Sequence, residues 1–417
     1  MKKTALFTLL FAFCLARLSA QNPGCDGIRY KTNVFSGVQK STVQYATAIN
    51  QVNAQVNLMM DVYQPAGDNI SARPVVILAH GGSFMFGDRA DMKRWCELLA
   101  KKGYVAASID YRLFPVFPLG IPDSTEIFDT AVKAVGDLKC AVRFFREDAA
   151  AANTFRADPD NIFIGGYSAG AVAALHAGFL DSNDALPPFI QGILNSNGGL
   201  AGNTGTASNQ AYPSSVKAVI SMSGGIYRSF WVDGDDVPVT SIHGDSDGTV
   251  PYTSGLAANI AYLEGSSLIH QAAGAAGLLN ALVTVPGGDH TDIYDPGNAQ
   301  FVPYVDSFWV NTTTLLEYLV CQTTDASYLE NEAENWQVYP NPAAAGDALT
   351  LVLPETVRQA RVTLTDLSGK EILQAGGIPN GGAIRPGFLP SGVYTIRMQD
   401  MDQPSRHFPV KKIVLKP

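Results

Sequence analysis

The chain has 417 residues, 46% hydrophobic and 16% charged, which suits a globular protein of two or three domains and excludes wholesale disorder. Lys plus Arg number 29 against 38 Asp plus Glu, a net charge of −9 and the wrong sign for a nucleic-acid binder. Residues 21–335 carry 17 cations against 32 carboxylates, whereas 336–417 carry nine against six, so two modules of different character are expected.

Lys2 and Lys3 precede an apolar run over 5–15, and Leu18-Ser19-Ala20 supplies small residues before Gln21. A charged start, a short apolar run and a small-residue end predict a secretory signal peptide over 1–20. The run falls short of the ~20 apolar residues that span a bilayer, and no later segment is longer, so no integral span is expected in the mature chain. Cys14 leaves with the signal and Cys25, Cys96, Cys140 and Cys321 remain. An even number in an exported protein suggests disulfides, with three sets of pairings open. The spacing offers no C-x-x-C pair and no neighbouring His cluster, so no metal site is expected.

From residue 74 onward, short apolar runs alternate with helical patterns. Strands are expected at 75–79, 104–109, 161–165, 216–221, 237–242 and 281–285, and helices at 91–102, 123–152, 169–180, 255–276 and 305–320. Strands that are apolar throughout and separated by helices predict an α/β fold: a mostly parallel sheet covered on both faces. Residues 187–214, rich in Gly, Asn, Ser and Thr, read as a long surface excursion that shapes a substrate mouth. Residues 322–335 are polar and acidic and read as a linker. From Trp336 the pattern changes to short alternating runs (Leu349, Leu351 and Leu353; Val362 and Leu364; Val393 to Ile396) broken by Gly and Pro, which predicts a small all-β sandwich without helix.

Gly166-Tyr167-Ser168-Ala169-Gly170 is a G-x-S-x-G run that closes the expected strand 161–165 and opens a helix. Strand, sharp turn and helix thrust a serine out as a nucleophile, and only glycine fits where the turn brings backbones together. A nucleophilic serine needs a base, and the base needs an orienting acid. Of His80, His176, His243, His270, His290 and His407, His290 follows the strand 281–285 at its carboxyl end, where open α/β sheets place their sites. His176 and His270 sit in helical patterns and read as packing or surface residues. After the strand 237–242, Asp245 and Asp247 both qualify as the acid by position. Asp247 is preferred, with Asp245 read as a turn-forming carboxylate that holds its own loop. The order Ser168, Asp247, His290 is the one this fold uses. His80-Gly81-Gly82-Ser83-Phe84 follows the first core strand, and its backbone N–H groups, with that of Ala169, are expected to form an oxyanion hole.

These residues resemble the esterase/lipase group of the α/β-hydrolases that carries an HGG-type oxyanion loop. The resemblance covers about 45–320 and includes His80-Gly81-Gly82, Asp110-Tyr111-Arg112, the Gly166 to Gly170 elbow, Asp247 with Val250-Pro251, and His290. It implies an α/β-hydrolase catalytic domain over 21–321, with Ser168, Asp247 and His290 catalytic and Gly82, Ser83 and Ala169 as oxyanion donors. Members with a full HGGG have glycine where this chain has Ser83, a change that keeps the backbone donor. Asp110 and Arg112 are expected to brace the loop. The same likeness places Cys96 and Cys321 on one face of the sheet and Cys140 on the other. It thereby pairs Cys25 with Cys96 or Cys321 and leaves Cys140 free.

The tail, 336–417, resembles the C-terminal sorting domain of bacterial type IX secretion. Tyr339-Pro340-Asn341-Pro342 opens it, Asp366-Leu367-Ser368-Gly369-Lys370 marks a mid-domain hairpin, and Leu389-Pro390-Ser391-Gly392-Val393-Tyr394 with a basic end completes the pattern. That likeness implies passage through the periplasm and outer membrane, with the type IX machinery as partner and the product at the cell surface or released. A polymer-binding sandwich is the alternative for the tail.

The expected activity is serine-dependent hydrolysis of carboxylic esters, with no metal or organic cofactor. Phe84, Met85, Phe86 and the aromatics of 114–117 line an acyl or alcohol pocket or else belong to the core. Export points to extracellular substrates, such as acyl or feruloyl decorations of polysaccharides, lipids or polyesters. Two rivals remain. A prolyl-oligopeptidase-type peptidase would need a large gating domain, and only 53 residues (21–73) precede the first core strand. A non-catalytic surface binding protein would be expected to lose one of the three residues.

Overall fold

The computed structural model describes residues 24–321 and, in the C-terminal region, 336–416 apart from 342, 345, 355–356, 367–369, 388, 391 and 403–410. The expected signal peptide at 1–20 and linker at 322–335 lie outside the described residues, as do Pro342, Leu367 to Gly369 and Ser391 of the tail motifs.

Eight strands form the central sheet: β1 (Val38–Ile49), β2 (Gln55–Pro65), β3 (Arg73–Ala79), β4 (Val105–Ile109), β5 (Ala157–Tyr167), β6 (Val219–Met222), β7 (Val239–Gly244) and β8 (Asn280–Val285). Their order is β1-β2-β4-β3-β5-β6-β7-β8. Only β2 runs antiparallel to its neighbours, and every pair from β4 to β8 is parallel. The helices are α1 (Lys93–Lys101), α2 (Ser124–Ala150), α3 (Ala169–Phe179), α4 (Pro188–Ser196), α5 (Ser266–Ala275) and α6 (Val302–Cys321). The mostly parallel sheet is as the apolar runs predict, and the strand order is that of the α/β-hydrolase fold, as the resemblance implies.

The side-chain alternation of a strand explains the layers. Val75, Ile77 and Ala79 of β3 share a core with α2 and α3, while Val76 and Leu78 point the other way into a core with α1 and α6. All residues of β3, β4, β6 and β7 are therefore buried. α2 starts where its sequence demands. Asp123 Oδ1 accepts from the Glu126 N–H at 2.9 Å, and Glu126 Oε2 accepts from the Asp123 N–H at 2.9 Å, a reciprocal cap.

Two expectations are corrected, and one hairpin is added. The β1–β2 hairpin lies ahead of residue 74, in a stretch assigned no element from the sequence. Its outer strand is an edge with both faces partly solvated, so its apolar signal is diluted. The helix expected over 255–276 is confined to α5. Before it stand two short strands, Ser254–Ala257 and Ala261–Gly265, joined by Ala258 and Asn259 at φ of 48° and 59°. Residues 187–214 are not a plain excursion. They hold α4 and two shorter helical turns, with Ile190 and Leu194 buried one turn apart.

Cys25 pairs with Cys321, across 296 residues, and ties the start of the described chain to the end of α6. Cys96 and Cys140 are free and buried. No helix among the described residues is long and apolar enough to cross a membrane.

The C-terminal region is all-β. Strands Gln337–Tyr339, Leu349–Val352 and Ala383–Ile384 form one sheet, and five strands form a second, with Gly392–Asp400 at its centre. Leu349 and Leu351 of the first sheet share one core with Val362, Leu364, Ile396 and Ile413 of the second, which makes a small sandwich.

Candidate active site

β5 ends at Tyr167 and α3 begins at Ala169, so Ser168 is the single residue that reverses the chain. Its backbone stands at φ 53° and ψ −120°, a strained conformation for a residue with a side chain. Two bonds hold it there: the Ser168 N–H donates to the Met222 carbonyl and the Val172 N–H donates to the Ser168 carbonyl, each at 2.9 Å. A Cβ at Gly166 would run into the Gly170 backbone and the Ala79 carbonyl, and one at Gly170 into that same carbonyl. The two motif glycines let the elbow close against the end of β3.

His290 stands in the loop after β8, and Asp247 in the loop after β7. The structure brings both to Ser168. Ser168 Oγ lies 2.8 Å from His290 Nε2, and His290 Nδ1 lies 2.7 Å from Asp247 Oδ2. The carboxylate places the ring proton on Nδ1, which leaves Nε2 to accept from the serine hydroxyl. All three residues are buried. Asp247 Oδ1 accepts from the Thr249 and Val250 N–H groups, both at 2.8 Å. Burial opposes its ionisation, but hydrogen bonds from His243 and His290 and from the backbone prevail, and its pKa falls far below the ordinary carboxylate value.

Asp245 turns elsewhere. Its Oδ1 accepts from the Gly287 N–H at 2.7 Å and from the Ser246 hydroxyl at 3.1 Å, so it holds the loop that carries His290 as well as its own. Asp289 repeats the device in reverse, accepting from the Gly248 N–H at 3.0 Å and the His290 N–H at 2.7 Å. The residue missed by sequence reasoning is His243. Fully buried at the end of β7, its Nε2 lies 3.0 Å from the Val250 carbonyl and 3.2 Å from Asp247 Oδ2, while its Nδ1 accepts from the Ser266 hydroxyl at 2.9 Å. The i, i+4 spacing to Asp247 was the available signal. Tyr167 adds support, stacking on the His290 ring and donating to the His290 carbonyl at 3.2 Å.

The oxyanion loop is a succession of left-handed residues: Gly82 at φ 110°, Ser83 at 53° and Phe84 at 60°. The Gly82 carbonyl accepts from both the Met85 and Phe86 N–H groups, at 2.9 and 3.0 Å. The N–H groups of Gly82, Ser83 and Ala169 donate to no acceptor among the described residues. Ser83 and Ala169 line one pocket with Ser168, while Gly82 lines the neighbouring cleft with Gly81 and Tyr167. His80 braces the loop from below: its buried ring stacks on Tyr111 at 4.3 Å, and the Tyr111 hydroxyl donates to the His80 carbonyl at 2.8 Å. Arg112 and Asp137 form a buried ion pair at 2.8 Å, and Thr204 donates to the same carboxylate at 2.6 Å, tying β4's following loop to α2 and to the segment beyond α4. Asp110 pairs with Arg89 at 2.6 Å.

Ser168 opens into an apolar pocket between α2, α3 and α4. Of the aromatics near the oxyanion loop, only Phe84 lines it. Phe114 is buried elsewhere, and Phe86 and Phe117 are exposed. His176 lines the pocket with both nitrogens engaged, by the Val172 carbonyl and the Tyr227 N–H, and burial lowers its pKa to about 4. His270 is buried between Ser241 and Asn280, away from this pocket.

Residues 60–228 match the BD-FAE family, a stretch that holds Gly82, Ser83, Ser168 and Ala169 but stops before Asp247 and His290. Among curated proteins, the chain is similar to Esterase P of Drosophila melanogaster, 28% identical over 177 residues, covering 38% of this chain and 31% of that one. It is also similar to Esterase-5A of Drosophila persimilis, 30% identical over 152 residues, covering 35% and 26%. The chain thus spans about a third or less of the length of the curated relatives it matches. Among solved structures, the butyrate-bound esterase Est2 of Thermogutta terrifontis aligns with a TM-score of 0.49 at 19% identity, over 68% of this chain and 96% of that one. By its strand order this protein has the α/β-hydrolase fold, and it is similar to the BD-FAE family over 60–228 and to esterases among its curated relatives.

Proposed function

We propose that the protein is an exported serine hydrolase of carboxylic esters. The observation that carries this reading is the hydrogen-bonded series from Ser168 through His290 to Asp247, standing at the mouth of an apolar pocket. Ser168 Oγ attacks the ester carbonyl carbon while its proton passes to His290 Nε2. The carbonyl oxygen becomes an oxyanion beside the free N–H groups of Ser83 and Ala169, with Gly82 as the third donor, at the positive end of α3. The carbon–oxygen bond to the alcohol then breaks, and His290 hands its proton to the leaving oxygen. Water, deprotonated by His290, attacks the acyl-serine, and the acid departs with the Ser168 hydroxyl restored. Asp247 stays ionised throughout and steadies the imidazolium. The steps balance with water alone.

Export is supported by the residue pattern of 1–20 and by the likeness of 336–417 to a type IX sorting domain. Esters outside the cell, such as acyl or feruloyl decorations of polysaccharides, lipids or polyesters, follow from that location. Ser168→Ala in the full chain tests the chemistry: hydrolysis of p-nitrophenyl esters is expected to fall by about 10⁴-fold or more. Retention of parental turnover would contradict it. Fractionation of cells expressing the full chain or residues 1–335 tests the location, with enzyme outside the cell expected only for the full chain.

A further inference from the structure

We propose that the acyl part of the substrate is an aliphatic chain of medium length, seated in the pocket that leads away from Ser168 between α2 and α3; this rests on the ester-hydrolase reading above. The pocket follows one face of α3. Ala169, Val172 and His176 of the helix and Leu180 just past its end line it in succession, which at 1.5 Å per residue extends the wall about 15 Å from the nucleophile. Phe128, Val132 and Val135 of α2 form the facing wall at helical spacing. An acetyl group would occupy only the entrance of such a space.

The chemistry of the wall selects against a sugar or a peptide in the same place. No carboxylate lines the pocket. Its ionisable side chains are engaged: Lys139 Nζ donates to the Leu200 carbonyl at 2.7 Å, both His176 nitrogens are taken, and the Tyr227 hydroxyl accepts from Arg228 at 3.4 Å. Beyond these the wall offers the Ser83 and Thr249 hydroxyls and the Trp231 indole N–H, too few to replace the water that a sugar or peptide would lose there.

The position of the pocket decides which half of the ester it holds. The leaving oxygen must receive a proton from His290 Nε2, so the alcohol lies on the histidine's side. Two of the three oxyanion donors, Ser83 and Ala169, line the pocket, and neither Gly82 nor His290 does. The group that remains on the carbonyl carbon therefore enters it. Each methylene buried there is worth about fourfold in kcat/KM, up to the length of the pocket.

The test uses the full chain with p-nitrophenyl acetate, butyrate, octanoate, decanoate and palmitate, and methyl ferulate beside them. Val172→Trp and Val132→Phe narrow the pocket from opposite walls, and a small fluorophosphonate that labels Ser168 reports folded enzyme. We expect kcat/KM to rise at least tenfold from acetate to octanoate or decanoate. In each variant that takes the label, the decanoate-to-acetate ratio should drop at least tenfold. A profile that peaks at acetate, a preference for methyl ferulate over decanoate, or unchanged ratios in labelled variants would overturn the aliphatic-chain proposal while the hydrolase reading stands. Absence of both labelling and ester turnover in the parent chain would overturn that reading, and this proposal with it.

Discussion

The two sides of the Ser168 pocket are held by different forces. On one side, the loops after β7 and β8 are laced to each other by directional bonds. Asp245 accepts from the Gly287 N–H at 2.7 Å, the Ser246 N–H donates to the Gly288 carbonyl at 3.1 Å, and Asp289 accepts from the Gly248 N–H at 3.0 Å. On the other side, α2, α3 and α4 meet through apolar side chains whose attraction has no preferred direction. Bonds of the first kind fix atoms relative to one another, and losing one changes geometry abruptly. Packing of the second kind responds in proportion to volume. Substitutions on the laced side should therefore act as switches, and those on the packed side as gradations.

The largest effect expected on the laced side is that of Asp247→Asn, which should cost about 10⁴-fold in kcat because the amide favours the wrong histidine tautomer. Asp245→Asn should cost less than about tenfold, since its oxygen still accepts from the Gly287 N–H. The two are compared by steady-state kinetics on one ester, and the reverse ranking would move the acid to Asp245.

Both carboxylates stood out in the sequence because they follow one apolar strand run, His290 because it follows another, and Ser168 because its G-x-S-x-G run joins a strand to a helix. The parallel sheet was legible in full, since strands buried on both faces can hold little but apolar residues. The β1–β2 hairpin was not. Val38–Ile49 alternates at a solvated edge, where Lys40, Thr42 and Gln44 are as acceptable as Val or Ile. Alanine misled over 255–276: its helix propensity suits the whole stretch, but Ser254–Ala257 and Ala261–Gly265 pair as strands, and only Asn259 hints at the left-handed turn between them. His243 was passed over because its i, i+4 spacing to Asp247 marks a pair only once the strand's face toward the next loop is known.

A change far from both sides separates stability from chemistry. Cys25→Ser opens a covalent link spanning 296 residues and should lower unfolding free energy by about 2–5 kcal/mol. Urea titration measures this, and kcat/KM at 25 °C should hold within twofold. A matching collapse of activity would mean that the laced loops depend on the terminal tie.

His243→Ala sharpens the comparison at a single bond. Asp247 would lose one of its two imidazole partners, and kcat should fall about tenfold with KM within twofold. A change confined to KM would place His243 in substrate binding instead.

The smallest effect concerns four carboxylates in two short loops, Asp181 with Asp184 and Asp233 with Asp236. Burial, and then the neighbouring carboxylates, push Asp184 up to about 6 and Asp236 up to about 7. These groups hold their protons more tightly in the folded chain than in the unfolded one, whose carboxylates titrate near about 4. Their contribution to stability is therefore present at low pH and lost as pH rises from about 4 through about 7. Asp236→Asn should leave Tm nearly unchanged at about pH 3.5 and raise it on the order of 2 °C at pH 8. A gain of equal size at both pH values would show that charge is not its cause.

The central claim is that Ser168 carries the acyl group between the two halves of the reaction. The direct measurement is acid quenching of the full chain in turnover with p-nitrophenyl decanoate, followed by peptide mass spectrometry. The account predicts a decanoyl adduct on the peptide containing Ser168, accumulating within the first turnover and absent from Ser168→Ala. Hydrolysis that proceeds with no adduct on that serine, or with the adduct on another residue, would contradict it.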